Sequence, residues 1–423
     1  MGQVLIFACT LALPWLSQGP APRAGLPDVE AFLVAGLPGE APADRQVSAL
    51  RGEPVSIFVV VRVGRGPRAL FFSDAPEFVR HGRRQKGGSV RPLSPLGRTI
   101  SWWRVEPHQH HLKTPPPNKG NQAYSNAVLF GPRHGKWLGF DTIEYHESRI
   151  DGAQGPRLVV DRSLPTHPKL KVHRGLGTLR YKATVEWEGT TLTTPGAGAT
   201  SAQGIRSEVL RVSFRDGDDF VGHLTSYYNV PNVFGSAGPG ILHQTEQFQG
   251  ADCADVLVGA ARRGGARMAY SNVEGLRREA RVVSPRLLLG KSGVTFADGP
   301  RKGQRAELRF GSDLQRGDLM LIDYVGWDGS NRTWDHVAVL SKDAGTPGVF
   351  DPEDLVMHMG YLYGLVEASA GADGEAVVQF LRFSSRHQAA FRWTERRLAR
   401  ERARRQARAV PAGGAKSPPG SDP

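Results

Sequence analysis

Cysteine is scarce in this chain, whose 423 residues contain two, Cys9 and Cys253. Residues 1–24 have the character of an export signal, so we expect Cys253 to be the cysteine that remains after processing. A single cysteine cannot form an intrachain disulfide, which excludes a disulfide-stabilised scaffold. A free thiol in an oxidising compartment needs a reason, and catalysis is one such reason.

Long apolar runs are also missing. The run Val4–Leu13 has the length of a signal-peptide core, is followed by Pro14, and is too short to span a bilayer as a stable anchor. Because no Lys or Arg precedes it, a misassigned start is the alternative. We predict an exported protein, periplasmic, extracellular or associated with the cell envelope, with no transmembrane segment after signal removal.

Acidic residues are outnumbered, with 41 Asp and Glu against 54 Lys and Arg, for a formal net charge of +13. This excess favours an anionic partner: nucleic acid, acidic lipid, or peptidoglycan or another anionic cell-envelope polymer. No nucleic-acid motif accompanies the charge, so we expect no specific nucleic acid as partner. The segment Glu395–Ala409 holds seven Arg and two Glu, which predicts a solvated basic helix followed by a disordered tail within residues 386–423.

Residues 27–215 are expected to be all-β. Pro54–Arg62 is a run rich in β-branched residues, typical of a buried strand, and Leu179–Trp187 alternates apolar and polar residues, typical of a half-buried one. Short strands separated by Gly and Pro predict one or two β-sandwich-like modules. The chain shows no internal repeat.

Residues 216–385 have a different pattern, with a helix first and antiparallel strands afterwards. Asp252 is a good N-cap, and Cys253 then shares an apolar helix face with Leu257, Ala260 and Ala261. A thiol in the first helical turn lies at the positive end of the helix dipole, which favours the thiolate. The fold class predicted for the whole chain is therefore multi-domain, all-β followed by α+β.

Histidines on the following strands can complete a catalytic site. A cysteine nucleophile needs a base, and His336 opens a strand directly after a polar loop, where its ring can face the helix N-terminus. A third group should orient that base, and His358 lies on the next predicted strand. Asp351 and Glu367 are rival orienting residues.

Residues 227–366 resemble the NlpC-type cell-wall cysteine peptidases, which have a papain-like fold. Four segments carry the resemblance in the expected order: Val230–Ser236, Gly250-Ala251-Asp252-Cys253, Arg316–Leu319 with Asp335–Val339, and Met357-His358 with Gly364-Leu365-Val366. The resemblance implies Cys253 as nucleophile, His336 as general base and acid, and His358 as the orienting residue. It implies no metal or organic cofactor.

The chain departs from the family pattern next to the nucleophile. Ala254-Asp255 stands where the family usually has Ser-Gly, and a carboxylate at Asp255 opposes thiolate formation unless it points away from the sulfur. The family tyrosine falls near Val233, so its role is unfilled or passes to Tyr227 or Tyr228.

The expected function is hydrolysis of amide bonds through an acyl-enzyme, with stem peptides of peptidoglycan as the favoured substrate. One alternative is a thiol-dependent acyltransferase on the same fold. The other is a non-catalytic cell-surface β-sandwich protein with a degenerate peptidase-like domain, an interpretation favoured by Ala254-Asp255.

Several further polar groups are interpreted as structural. The histidines His108, His110 and His111 are expected on an exposed loop rather than around a metal, and the carboxylates Asp216, Asp218 and Asp219 in a solvated turn rather than around calcium. At least one of Trp102 and Trp103 is expected in the core.

Overall fold

A computed structural model describes residues 28–108, 124–125, 143–166, 173–201, 203–237, 243–326, 334–360 and 364–409. The predicted export segment 1–24 with Cys9, the histidines His110 and His111, and the predicted tail 411–423 lie outside these residues. The described part is mostly β-sheet, with three α-helices. It is a β-rich chain of two parts, and none of its helices has the length and apolar character needed to cross a membrane.

The N-terminal part consists of two sheets packed face to face. The first contains β1 (Val29–Gly36), β3 (Val55–Val63), β4 (Leu70–Phe72), β7 (Val90–Arg91) and β11 (Arg157–Val160). The second contains β2 (Val47–Leu50), β8 (Ile100–Pro107), β10 (Tyr145–Arg149), β12 (Gly177–Trp187), β13 (Thr190–Thr193) and β16 (Leu210–Arg215). The hairpin of β5 (Glu77–Arg80) and β6 (Arg83–Lys86) lies beside the first sheet.

One apolar core joins the two sheets. Strand β3 contributes Ile57 and Val59, and the predicted alternating strand, which is β12, contributes Leu179, Tyr181 and Val185. Alternation places these side chains on one sheet face, and their burial supplies the main stabilisation of the sandwich. Trp102 is fully buried in this core, and its Nε1 donates to the carbonyl of Gly155 at 2.9 Å.

The C-terminal part is built on one eight-stranded sheet. Its strands in spatial order are β20 (Gly293–Phe296), β19 (Leu287–Gly290), β25 (Ala376–Phe383), β21 (Leu319–Tyr324), β22 (His336–Lys342), β23 (Leu355–Gly360) and β24 (Gly364–Ser369), with β18 (Ala280–Val282) also pairing with β25. Helices α1 (Phe220–Thr225), α2 (Cys253–Arg263) and α3 (Ser385–Ala409) complete this part. Two small pairs, β14 (Thr200–Ser201) with β15 (Gly204–Ile205) and β9 (Tyr124–Ser125) with β17 (Val233–Phe234), lie outside the main sheets.

The two faces of this sheet have separate cores. Val337 and Val339 of β22 belong to the core that contains α2, whereas Ala338 and Leu340 belong to a second core with Phe350. The division follows directly from the two-residue period of a strand. On β22, side chains with odd residue numbers therefore face α2, and those with even numbers face the opposite side.

The two parts meet along β12. Gly177 has φ +103° and lies so close to Tyr228 that a Cβ there would be 2.5 Å from its carbonyl oxygen. Thr178 N donates to that same carbonyl at 2.9 Å, and Arg180 donates to the carbonyl of Phe248 at 2.9 Å. Strand β12 of the sandwich is therefore in direct contact with the segment that connects α1 to α2.

Helix α3 differs from the solvated helix expected from the sequence. It begins at Ser385, ten residues before the predicted basic run, and His387, Phe391 and Thr394 are buried. Arg402 pairs with Asp218, and Arg405 pairs with Glu53 of the sandwich at 2.7 Å. One side of the helix therefore packs against both parts of the chain.

Candidate active site

The site begins at the N-terminus of α2, which Asp252 caps as predicted. Its Oδ1 accepts hydrogen bonds from the main-chain N–H groups of Ala254, at 3.0 Å, and Asp255, at 2.8 Å. Its Oδ2 accepts from Gly235 N at 3.0 Å, which holds the preceding segment against the helix. Burial raises the pKa of Asp252 in spite of these donors. The cap fixes Cys253 as the first residue of the helix.

Asp255 is hydrogen-bonded to the segment that precedes α2. Its Oδ2 accepts from Ser236 Oγ at 2.7 Å and from Ala237 N at 2.8 Å, within the segment that leads to α2. Burial, and then the neighbouring charge of Asp252, raise the pKa of Asp255 well above its ordinary value. Ser236 and Ala237 are thus the hydrogen-bond donors to Asp255. The Ala254-Asp255 dipeptide alone gave no sign of these partners.

Cys253 is partly buried, and its sulfur lies at the sheet. The main-chain N–H of Val337, the residue that follows His336, lies close to Sγ. Burial raises the pKa of the thiol, and the charges of Asp252 and Asp255 raise it further, whereas the N–H groups of Val337 and Ala254 lower it. The net direction is upward, so the thiol is protonated at neutral pH in this state.

The structure brings the two predicted histidines into direct contact. Nε2 of His336 and Nδ1 of His358 are 2.9 Å apart, with the rings nearly perpendicular at 88°. Burial, followed by the proximity of His358, lowers the pKa of His336 to about 3. Burial also lowers the pKa of His358, against an opposing effect of Asp373. Both rings are therefore neutral at pH 7, and one donates to the other.

Neither imidazole is hydrogen-bonded to the sulfur. His336 pairs across the ladder with Ile322, whose side chain lies in the core opposite α2, and the His336 ring is stacked near Tyr324 at 6.3 Å between centroids. The Val337 side chain, one residue on, packs on the α2 side. The sulfur and the imidazole thus approach β22 from its two faces, separated by the main chain of residues 336–337.

His358 lines a small pocket on that opposite face, together with Tyr324, Ser369 and Asp373. Tyr324 donates to Asp373 at 3.0 Å, which closes a polar rim beside the two histidines. Sequence reasoning did not single out Tyr324 or Asp373. Tyr324 ends a predicted strand, but its proximity to residue 373 depends on the pairing of β21 with β25.

The two rival orienting carboxylates have other partners. Asp351 accepts from the main-chain N–H groups of Thr346 and Glu353, at 2.6 and 3.1 Å, and Glu367 accepts from Ser341 Oγ at 2.8 Å. Of the three candidates, His358 is the one in contact with His336.

The candidate tyrosines do not reach the sulfur. Tyr227 is stacked on Phe248 at 4.4 Å, and its hydroxyl lies against Gly259, six residues beyond the cysteine. Tyr228 packs near His173 at 5.3 Å. Val233 packs instead against Gly250, before the helix. None of these three residues therefore takes the place of the tyrosine expected from the resemblance.

The remaining polar groups are engaged elsewhere. Asp216 pairs with Arg51, Asp218 with Arg215 and Arg402, and Asp219 caps α1 by accepting from Gly222 N at 2.6 Å. The His108 ring lies 6.0 Å from that of His146. Within the described ranges, no three His, Cys, Asp or Glu side chains are grouped as a metal ion would require.

Comparison of the chain with protein-family models, with curated proteins and with solved structures gives no match.

Proposed function

We propose that the C-terminal part is a papain-like thiol hydrolase that cleaves amide bonds, with stem peptides of peptidoglycan as substrate. Cys253 is the nucleophile, His336 the general base and acid, and His358 the residue that orients His336. In this proposal the protein is exported, and the β-sandwich positions the hydrolase on the cell-envelope polymer. No metal or organic cofactor takes part.

One observation carries the proposal: the His336–His358 hydrogen bond begins at the residue directly before Val337, whose main-chain N–H lies near the sulfur. Nε2 of His336 is held by His358 at 2.9 Å, which leaves Nδ1 as the ring nitrogen free of a hydrogen bond. The cysteine approaches the adjacent N–H of Val337. A nucleophile at a helix N-terminus, a base on the facing strand and an orienting group on the next strand are the parts of a thiol triad.

The chemistry needs one rearrangement, because His336 and His358 lie on the face of β22 opposite the sulfur: the start of the strand must turn so that Nδ1 of His336 reaches Sγ, and the contact of Nε2 with His358 must be kept or re-formed in the turned position. The thiol proton then passes to Nδ1 while the sulfur attacks the scissile carbonyl carbon. The leaving amine takes that proton from His336, and water hydrolyses the thioester with the same residue acting as base. Asp252 occupies the N–H groups of Ala254 and Asp255, so the N–H of Cys253 is the donor available to the oxyanion.

An acyltransferase would use the same first half-reaction. It differs only in the acceptor that attacks the thioester, an amine or alcohol instead of water. Mass analysis of the products with and without added amine or alcohol separates the two activities.

A non-catalytic role is favoured by the charges around the sulfur. Two buried carboxylates flank the thiol and raise its pKa, which is the opposite of what a ground-state thiolate requires. In this alternative, Cys253 is a packing residue beneath a sheet whose surface serves adhesion.

The test is digestion of isolated sacculi, with released fragments identified by mass spectrometry. We expect Cys253→Ala and His336→Ala each to lower release about a thousandfold or more while circular dichroism stays unchanged. Asp351→Asn is the matched control, because its carboxylate serves the 346–353 turn, and it should retain activity. Wild-type release by the Cys253→Ala protein would eliminate the thiol mechanism.

A further inference from the structure

Seven of the nine arginines of helix α3 fall into two sets with different surroundings. Arg402 and Arg405 face inward and form ion pairs with Asp218 and with Glu40 and Glu53. On the other side, five arginines recur at every fourth position, and all five are exposed: Arg392, Arg396, Arg400, Arg404 and Arg408. None of these five forms an ion pair with a residue that the structure describes.

The spacing makes these five residues a continuous row, which we call the outward arginine row. Four residues advance an α-helix by about 6 Å and turn it about 40° past a full revolution, so the row extends over about 24 Å and turns by about 160° around the helix between Arg392 and Arg408. The inward pairs with Asp218 and Glu53 and the buried Phe391 fix the opposite side of the helix, so the row covers its outer side.

We propose that the outward arginine row binds a linear polyphosphate or polyphosphodiester chain through its phosphates. Guanidinium groups suit phosphate oxygens because they present several donors in one plane and stay charged. A rigid row of five cations, none of them ion-paired with a described residue, fits an extended polyanion, whose binding releases counterions.

The composition of this face argues against a bilayer as the partner. Trp393 is the one large hydrophobic side chain that α3 exposes, at 56%. An interfacial membrane helix needs a broad apolar face, and here the apolar face is already packed against the protein. A single indole also offers no series of stacking platforms for nucleobases, so recognition rests on the phosphates.

This inference does not depend on the thiol chemistry, because binding is measured without turnover. The protein is titrated with long-chain inorganic polyphosphate, as wild type and as Cys253→Ala, and both should bind equally. Replacing Arg392, Arg396, Arg400 and Arg404 together by Gln keeps helix propensity, and we expect affinity to fall about tenfold or more with a shallower salt dependence.

A second quadruple variant removes the same charge elsewhere. Arg267, Arg278, Arg281 and Arg309 are exposed and form no ion pair with a described residue, so their replacement by Gln should leave affinity within about twofold of wild type. Equal losses in both variants would mean attraction by net charge alone and would overturn the proposal, as would unchanged affinity in the α3 variant. Binding to phosphatidylglycerol vesicles but not to polyphosphate would also overturn it, as would tighter binding to oligo(dT) than to an abasic oligodeoxynucleotide of equal length, because the bases would then contribute.

Discussion

His336 and His358 are joined by a hydrogen bond of 2.9 Å between Nε2 of the first and Nδ1 of the second. The bond spans β22 and β23 just beyond their regular ladder, which begins at Val339 opposite Met357. Because both rings are buried and neutral, the contact couples their tautomers: Nδ1 of His336 can accept a proton only when Nε2 carries the hydrogen and donates it to His358.

His358→Ala is expected to lower kcat about tenfold to a hundredfold on a cleavable substrate, with little change in KM, because it removes the orientation of His336 and not the nucleophile. His358→Gln keeps a hydrogen-bonding group and should recover part of kcat. The measurement is steady-state kinetics with a pH profile for each variant. A change confined to KM would show that His358 contacts substrate instead of positioning the base.

Asp252→Asn should make Cys253 more reactive. The charge of Asp252 is the larger of the two carboxylate contributions that raise the thiol pKa, and Asn caps helices about as well as Asp. Removing the charge therefore lowers the thiol pKa and increases the rate of iodoacetamide alkylation at pH 8, while the helix is kept. Asp255→Asn should give a smaller increase, and equal rates in all three proteins would show that burial alone controls the sulfur.

His223 should make the protein sensitive to acid. Burial, and then the charge of Arg215, lower its pKa to about 3 from an ordinary value of 6.5. The unfolded chain therefore binds the proton first, so the stabilisation is complete above pH 6.5 and is lost as pH falls from 6.5 towards 3.

We expect His223→Leu to flatten the decrease in unfolding free energy between pH 6.5 and 4 by about 2 kcal/mol, measured by urea denaturation at each pH. An unchanged slope in His223→Leu would mean that other groups account for acid unfolding.

Gly177→Ala should weaken the contact between the two parts of the chain. The new Cβ would lie 2.5 Å from the carbonyl oxygen of Tyr228, and φ is +103°, so we expect a loss of more than about 2 kcal/mol in thermal or urea unfolding. Gly189→Ala shares the positive φ, at 78°, but has open space around it, and should cost about 1 kcal/mol. Similar losses at both positions would show that backbone strain, and not the interface, is responsible.

Local patterns in the sequence were sufficient to predict several strands and the start of one helix. The alternation from Leu179 to Trp187 lies in β12, the β-branched run before Arg62 lies in β3, and the Asp252 cap starts α2 at Cys253. These signals depend on neighbours within one turn or one strand, which is why they are readable.

The arrangement of the site depended on contacts between distant residues. That His336 and His358 would touch followed from their neighbouring strands, but the face on which His336 lies depends on the register of β22 against β21, where a shift of one residue would reverse it. The partner of Asp255, Ser236, and the polar rim of Tyr324 and Asp373 likewise required the tertiary structure.

The contacts between α3 and the sandwich also affect the newly synthesised chain. Gly39 lies against the main chain of Arg405, and the Arg405 guanidinium reaches Glu40 and Glu53, so residues more than 350 positions apart must be present together. A ribosome would release the sandwich strands long before α3. The two connections that carry Glu40, before β2, and Glu53, before β3, would stay uncovered until translation has passed residue 405. Proteases that cleave the early chain at these connections would therefore distinguish a nascent molecule from a finished one.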